Sequence, residues 1–277
     1  MACLIIVDVG AAIGEFSHHV LKNNELARIY AVEPNITKFG ESLSKIQNDF
    51  GERISIHPYG LAEKSGSLPL YGSTQINGQI GSLKQFNVSK KWNPYLEKSL
   101  DKSQLTEHII VQVKSVVDFL SEIGTQEINF LKIDAQGYDV ELLDKFLQFS
   151  NVKCSVVEVN TTSDKHENIY ESNNNLNALV QVISRYNLNV LKIVPNDDFT
   201  ELNVFLASDI ELGHSIMRSL KISDSPTFNR GWNVMYKRNP HSHKITFKSI
   251  LSIIRKIILH PLRTSRKIIK LVFNEIA

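Results

Sequence analysis

Apolar residues in this chain come in short runs separated by amphipathic stretches. Leu4 to Val7 form a continuous apolar run that stops at Asp8, and residues 4–9 read as a buried strand. Helical spacing follows over 13–23, through Phe16, Val20 and Leu21. The run 27–34 predicts a second strand, closed by Glu33 and Pro34. Asn35 or Thr37 is placed to cap a helix reaching Phe50, with Phe39, Leu43, Ile46 and Phe50 on one face. Residues 53–61 predict a third strand and 66–73 its hairpin partner. Polar residues with scattered Gly, Asn, Ser and Pro fill 74–106, a length that points to a functional or partly helical segment. Order resumes with a strand at 108–116, a helix at 117–124, a strand over 128–137 that stops at Asp134, and a helix at 138–149. A strand at 152–160, ended by Glu158 and Asn160, precedes a helix at 175–187. Residues 188–194 and 202–208 predict a terminal antiparallel pair.

Strand–helix alternation of this length implies an α/β fold, a doubly wound, mostly parallel sheet covered on both faces. Ligands of such sheets sit beyond the carboxyl ends of the strands. Asp8, Glu33, Asp134 and Glu158 all end apolar runs, so four acids are expected around one crevice.

The chemistry begins at LIIVDVGAAIGEFS, residues 4–17, where a buried strand breaks into a glycine turn and opens a helix. That arrangement holds nucleotide-like cofactors. Gly10 lets backbone approach a ligand, and Gly14 lets the helix pack closely. An acid at the strand end, Asp8, suits the ammonium and sulfonium of S-adenosylmethionine better than a pyrophosphate. Ala12 occupies the place of the second glycine in the dinucleotide pattern G-x-G-x-x-G. Glu33 follows at the end of the next strand, where a carboxylate can accept both hydroxyls of a ribose. In LKIDAQGYD, residues 131–139, the strand delivers Asp134 to the crevice and Gly137 permits a sharp turn. Asp134 there could position a substrate hydroxyl, hold the cofactor's amine or act as a general base; helix capping is the structural alternative. His57, at the end of the third strand, is a second and weaker candidate for a base. No H-x-x-x-H or Cys/His cluster suggests zinc, and no G-x-S-x-G or GK[ST] loop suggests a hydrolase or a triphosphatase. No obligatory metal is expected, although acids at strand ends leave Mg²⁺ open.

Composition adds one asymmetry. The chain is 42% apolar and 22% charged, as globular proteins are, with a net charge of only +2. Residues 244–277 nevertheless carry eight Lys and Arg against one Glu, leaving −5 for the rest. Phe247, Ile250, Leu251, Ile254, Ile257 and Ile258 share a helical face opposite Lys244, Lys248, Arg255 and Lys256. The pattern resumes after Pro261 and suits peripheral contact with an anionic membrane, or docking on the body or in a dimer. The division is therefore 1–240 for the core domain and 241–277 for a basic amphipathic extension. No nucleic-acid partner is expected. Cys3 and Cys154 lie in apolar runs and read as buried free thiols of a reducing compartment. No basic, apolar leader opens the chain and no apolar run of about 20 residues is free of charge. A cytoplasmic protein, able to lie on a membrane surface, is the expectation.

Several phrases in order resemble the FkbM family of S-adenosylmethionine-dependent methyltransferases. They are VDVGAAIGEFS (7–17), AVEPN (31–35), GLAEKSGSLPLY (60–71), IGSL (80–83) and VVDFLSEIGTQEINFLKIDAQGYDVELL (116–143). The resemblance spans about residues 4–208 and implies a seven-stranded class I methyltransferase fold. It implies methyl transfer to a hydroxyl of a sugar, a glycan or a small natural-product-like acceptor. Asp8, Gly10 and Gly14 then match the cofactor loop, Glu33 the ribose acid, and Leu61 the adenine edge. Asp134 and Gly137 match the signature near the transfer site. Related enzymes usually have an acid between these two, where this chain has Gln136. They also often cover the cofactor with an N-terminal segment; here either residues 74–106 supply that lid or the site is unusually open. Two rivals remain: an NAD-dependent oxidoreductase sharing Glu33, and a catalytically inactive scaffold docking on membranes through its tail.

Overall fold

The computed structural model describes residues 3–73, 80–88, 104–160, 170–195 and 201–228. The first half runs β1 (Leu4–Val9), α1 (Glu15–Asn23), β2 (Ala27–Val32), α2 (Ile36–Phe50), β3 (Ile54–His57), β4 (Gly60–Ala62), β5 (Gly66–Tyr71) and β6 (His108–Ser115). The second runs α3 (Val116–Ile123), β7 (Glu127–Ile133), α4 (Asp139–Phe149), β8 (Asn151–Asn160), α5 (Leu176–Tyr186), β9 (Asn189–Pro195), β10 (Glu201–Ala207) and α6 (Ile210–Ser219). Seven strands form the central sheet in the order β3-β2-β1-β7-β8-β10-β9. All are parallel except β10, which runs antiparallel to β8 and β9, as the terminal pair predicted.

Alternation along the strands fills two cores. Val7 and Val9 of β1 join Phe119, Phe146 and Leu179 from α3, α4 and α5 on one face. Ile6 joins Phe16, Leu43 and Ile216 from α1, α2 and α6 on the other. The same parity sends Asp8 to the α1 face, which decides its role below. Three helices start at side-chain caps. Ser115, Asn175 and Asp209 side chains accept the backbone N–H of Asp118, Ala178 and Leu212 at α3, α5 and α6. Asn35 stands at the N-cap of α2, but its side chain donates instead to the Ser73 carbonyl at 3.1 Å.

Three expectations need correction. The predicted strand 53–61 is two strands, because Pro58 brings no N–H to a ladder and the chain changes sheets there. β4 pairs parallel with β6, and β5 pairs antiparallel with β6, so the predicted hairpin between 53–61 and 66–73 does not form. Cys3 is exposed just before β1, whereas Cys154 is buried and burial pushes its thiol up to about 12. Helix α6, absent from the sequence reading, is capped by Asp209 and buries Gly213, Ile216 and Met217. Within 74–106, the described residues place Phe86 and Leu105 in a small apolar cluster with Tyr170. The boundary at 240 and the basic segment 241–277 lie outside the described residues. Among the described residues no helix is long and apolar enough to cross a membrane.

Candidate functional site

Strand order reverses direction between β1 and β7. A cleft opens at that point, enclosing ≈ 610 Å³ with open solvent included. Its walls include Gly10, Ala12, Glu33, Phe39, Leu61, Leu70, Leu83, Asp134 and Gln136. Four residues expected from the sequence therefore meet: Gly10, Glu33, Leu61 and Asp134.

The loop after β1 is folded by main-chain contacts. Gly10 and Ala11 N–H both donate to Val32 O, at 3.0 and 3.1 Å, and Asp134 N–H donates to Val9 O at 3.1 Å. Gly10 has φ +73°, and a Cβ there would stand 1.9 Å from the Asp134 carbonyl oxygen. Only glycine lets the two loops approach this closely. Glu33 closes the loop from the side. Its Oε2 accepts from Ala12 N–H at 2.8 Å and its Oε1 from Asn35 N–H at 2.7 Å. Burial pushes the Glu33 carboxyl up to about 7, against those two hydrogen bonds and the Lys132 charge. Each carboxylate oxygen keeps a second lone pair for a hydroxyl donor.

Asp8 does not line the cleft. The strand continues through Val9, so Asp8 lies one residue inside it, fully buried on the α1 face. Its Oδ2 accepts from Ser17 Oγ at 2.7 Å and its Oδ1 pairs with Lys132 Nζ at 3.0 Å. Lys132 is its register partner across β1 and β7. Nζ also donates to Gly10 O at 3.1 Å and stands 3.7 Å from Asp134 Oδ2. Burial alone would lower the Lys132 pKa; the Asp8 and Asp134 carboxylates outweigh it and hold the ammonium above its usual value. Asp8 thus braces the loop from behind through Lys132. Gly14 also lies outside the cleft, at the start of α1 against Leu43 and Ile46 of α2. Lys132 was legible in principle, since a lysine inside an apolar parallel strand needs a buried partner.

Beyond β7, residues 134–137 make a tight turn. Helix capping by Asp134 is not what the structure shows. Asp139 instead accepts from Ala135 and Gly137 N–H, at 2.8 and 2.9 Å, and from Asn174 Nδ2 at 3.0 Å. Burial first, then the nearby Asp134 charge, pushes the Asp139 carboxyl up to about 7. Asp134 is free of that work, with its side chain 37% exposed towards the cleft and its Oδ1 accepting from Gln136 Nε2 at 2.8 Å. Glu158 is half-buried outside the cleft lining; burial, Glu201, Asp134 and Asp139 together push its carboxyl well up. Among the described residues no group of three or more His, Cys, Asp or Glu could hold a metal ion.

His57 is also elsewhere. Its Nδ1 lies 3.0 Å from the Tyr59 hydroxyl and 3.1 Å from Glu122 Oε1, in a cluster with Phe119. Burial lowers its pKa despite Glu122, and it does not line the cleft.

The lining fits a nucleoside cofactor. The cleft offers a carboxylate with spare lone pairs at one wall, apolar Phe39, Leu61 and Leu83 for a flat base, and a close main-chain approach at Gly10. In such an arrangement Glu33 would hold the ribose.

Comparison with solved structures gives distant likenesses. The precorrin-6y C5,15-methyltransferase of Geobacter metallireducens is 11% identical with a TM-score of 0.35, covering 75% of this chain and 80% of that one. A SAM-dependent methyltransferase of Aquifex aeolicus is 10% identical, TM-score 0.35, covering 73% and 81%. An O-methyltransferase family 2 protein of Planctomyces limnophilus, in complex with apigenin, is 10% identical, TM-score 0.37, covering 74% of this chain and 51% of that one. Comparison with curated proteins gives no match. The sequence over residues 8–209 matches the methyltransferase FkbM domain. That stretch contains the whole central sheet but for residues 4–7 of β1, together with every wall of the cleft named above, and the chain belongs to the FkbM methyltransferase family.

Proposed function

We propose that this protein is an S-adenosylmethionine-dependent O-methyltransferase whose acceptor is a hydroxyl of a sugar, a glycan or a small natural-product-like molecule. The observation that carries this reading is the meeting of Glu33, Gly10, Leu61 and Asp134 on one cleft inside an FkbM domain. When bound, S-adenosylmethionine supplies a methyl group on a sulfonium sulfur, which takes back the C–S electron pair as the acceptor oxygen bonds to the carbon. Little covalent chemistry is then left for the protein, and alignment dominates. Glu33 orients the ribose, and Leu61 and Phe39 face the base. Asp134 takes the proton that the acceptor hydroxyl loses. Lys132 keeps the two cleft loops at a fixed distance through Gly10 O and Asp8.

The test is methyl transfer from S-adenosylmethionine labelled in the methyl group to a panel of free sugars, glycosides and phenolic glycosides. Labelled methyl ether formed by the wild type, and lost in Asp134→Asn with cofactor binding retained, supports the reading. Label transferred only to amines or to carbon would overturn O-methylation. For the basic segment 244–277 we propose peripheral contact with an anionic membrane. Its eight basic residues offer about 1 kcal/mol each near such a surface. Sedimentation with phosphatidylserine vesicles should lose the protein when 244–277 is deleted; equal sedimentation of both chains would refute it.

A further inference from the structure

Gln136 sits between the two halves of the site in a backbone conformation that glutamine seldom adopts, with φ +48°. Contacts from distant parts of the chain hold it there. Ser82 Oγ donates to its carbonyl oxygen at 2.6 Å. The Tyr170 hydroxyl donates to its Oε1. Its own Nε2 donates to Asp134 Oδ1 at 2.8 Å.

The Asp134 carboxylate settles which way the amide faces. A carboxylate only accepts, so the NH₂ group turns to it and Oε1 is left to accept from the Tyr170 phenol. Tyr170 is itself immobilised. It is 2% exposed, its ring centroid is 4.9 Å from that of Phe86, and the backbone bridges Phe86 to Tyr170. Burial first, then Glu201, Glu158, Asp139 and Asp134, push its phenol well up, so it stays a donor across working pH. Asp134 Oδ1 is thereby held by a neutral amide while Oδ2 faces the Lys132 ammonium.

We propose that Gln136 is a positioning residue for methyl transfer: oriented by the Tyr170 hydroxyl, its side-chain amide holds the Asp134 carboxylate toward the transfer point. This rests on the methyltransferase reading of Asp134 given above.

The experiment needs no acceptor. Sinefungin carries an amine where S-adenosylmethionine carries its transferable methyl, and S-adenosylhomocysteine carries nothing there. The ratio of their affinities therefore reports whether a carboxylate stands at the transfer point. Calorimetric titration of both ligands compares the wild type with Asp134→Asn, Gln136→Met and Tyr170→Phe. Losing a charge-assisted hydrogen bond should lower the sinefungin preference about tenfold in Asp134→Asn. Gln136→Met and Tyr170→Phe should each lower it by roughly threefold to tenfold. A merely structural role would weaken both ligands alike and leave the ratio intact. An unchanged ratio in Gln136→Met and Tyr170→Phe, beside a fallen one in Asp134→Asn, overturns the positioning role alone. An unchanged ratio in Asp134→Asn removes Asp134 from the transfer point and the inference with it. Absence of S-adenosylhomocysteine binding by the wild type defeats the cofactor reading itself.

Discussion

The two walls of the cleft are built by different means. On the β1–β2 side, main-chain N–H groups of the loop fold onto Val32 and onto one carboxylate, Glu33. On the β7 side, side chains of residues 82, 139 and 170 converge on the turn 134–137, with Asn174 bonded to Asp139 behind it. A wall of backbone depends on a few local residues and on one glycine. A wall of side chains depends on contacts brought from all over the chain, and each can be replaced separately. Under the proposed function, the first would suit a cofactor whose shape does not vary and the second the acceptor end, where orientation of one carboxylate matters most.

The largest effect should come from breaking the contact that joins the walls. Gly10→Ala places a methyl 1.9 Å from Asp134 O at φ +73°, so destabilisation of about 3–5 kcal/mol is expected in urea unfolding, with cofactor binding lost. Next is Glu33→Gln, which exchanges an ionised acceptor for an amide. It should weaken S-adenosylmethionine binding about a hundredfold by calorimetry while Asp134-side contacts stay intact. Asp139→Asn tests the other wall alone. Turning an NH₂ toward a backbone donor should cost about 2 kcal/mol of stability, read by thermal unfolding, with cofactor affinity nearly unchanged.

The smallest effect is in pH. Glu33 is raised from 4.5 to about 7 in the free protein, and a ribose hydroxyl prefers the ionised form. Cofactor affinity should therefore rise roughly tenfold between pH 6 and pH 8, and Glu33→Gln should flatten the rise. Stability runs the opposite way. Glu33 and Asp139 both have folded-state values of about 7, above their unfolded ones, so their contribution is complete at low pH. It is lost as pH climbs through 7, and thermal unfolding of the free protein between pH 5 and 8 should show the decline.

The same contrast explains what was legible in the sequence. The backbone-built wall is local: an apolar run, Gly10 and the strand-end Glu33 are readable within thirty residues. Even there Asp8 is not a cleft residue, because the strand runs one residue further, to Val9, and leaves its carboxylate inside on the α1 face. Pro58 was visible, but its effect, moving Leu61 to a second sheet, follows only from what β6 offers as a partner. On the other wall the phrase LKIDAQG named Asp134 correctly as a cleft residue, yet its partners lay out of reach. Tyr170 lies 34 positions from Gln136, and Ser82 lies 54, with no pattern linking them. Lys132 and Asp8 come together only through the register of β1 on β7.

The most direct test of the account is a calorimetric titration of S-adenosylmethionine and of NAD into the full chain, with Glu33→Gln as control. One S-adenosylmethionine per chain, sharply weakened by the substitution, with no heat from NAD, is the predicted result. Saturable NAD binding in the absence of S-adenosylmethionine binding would contradict it.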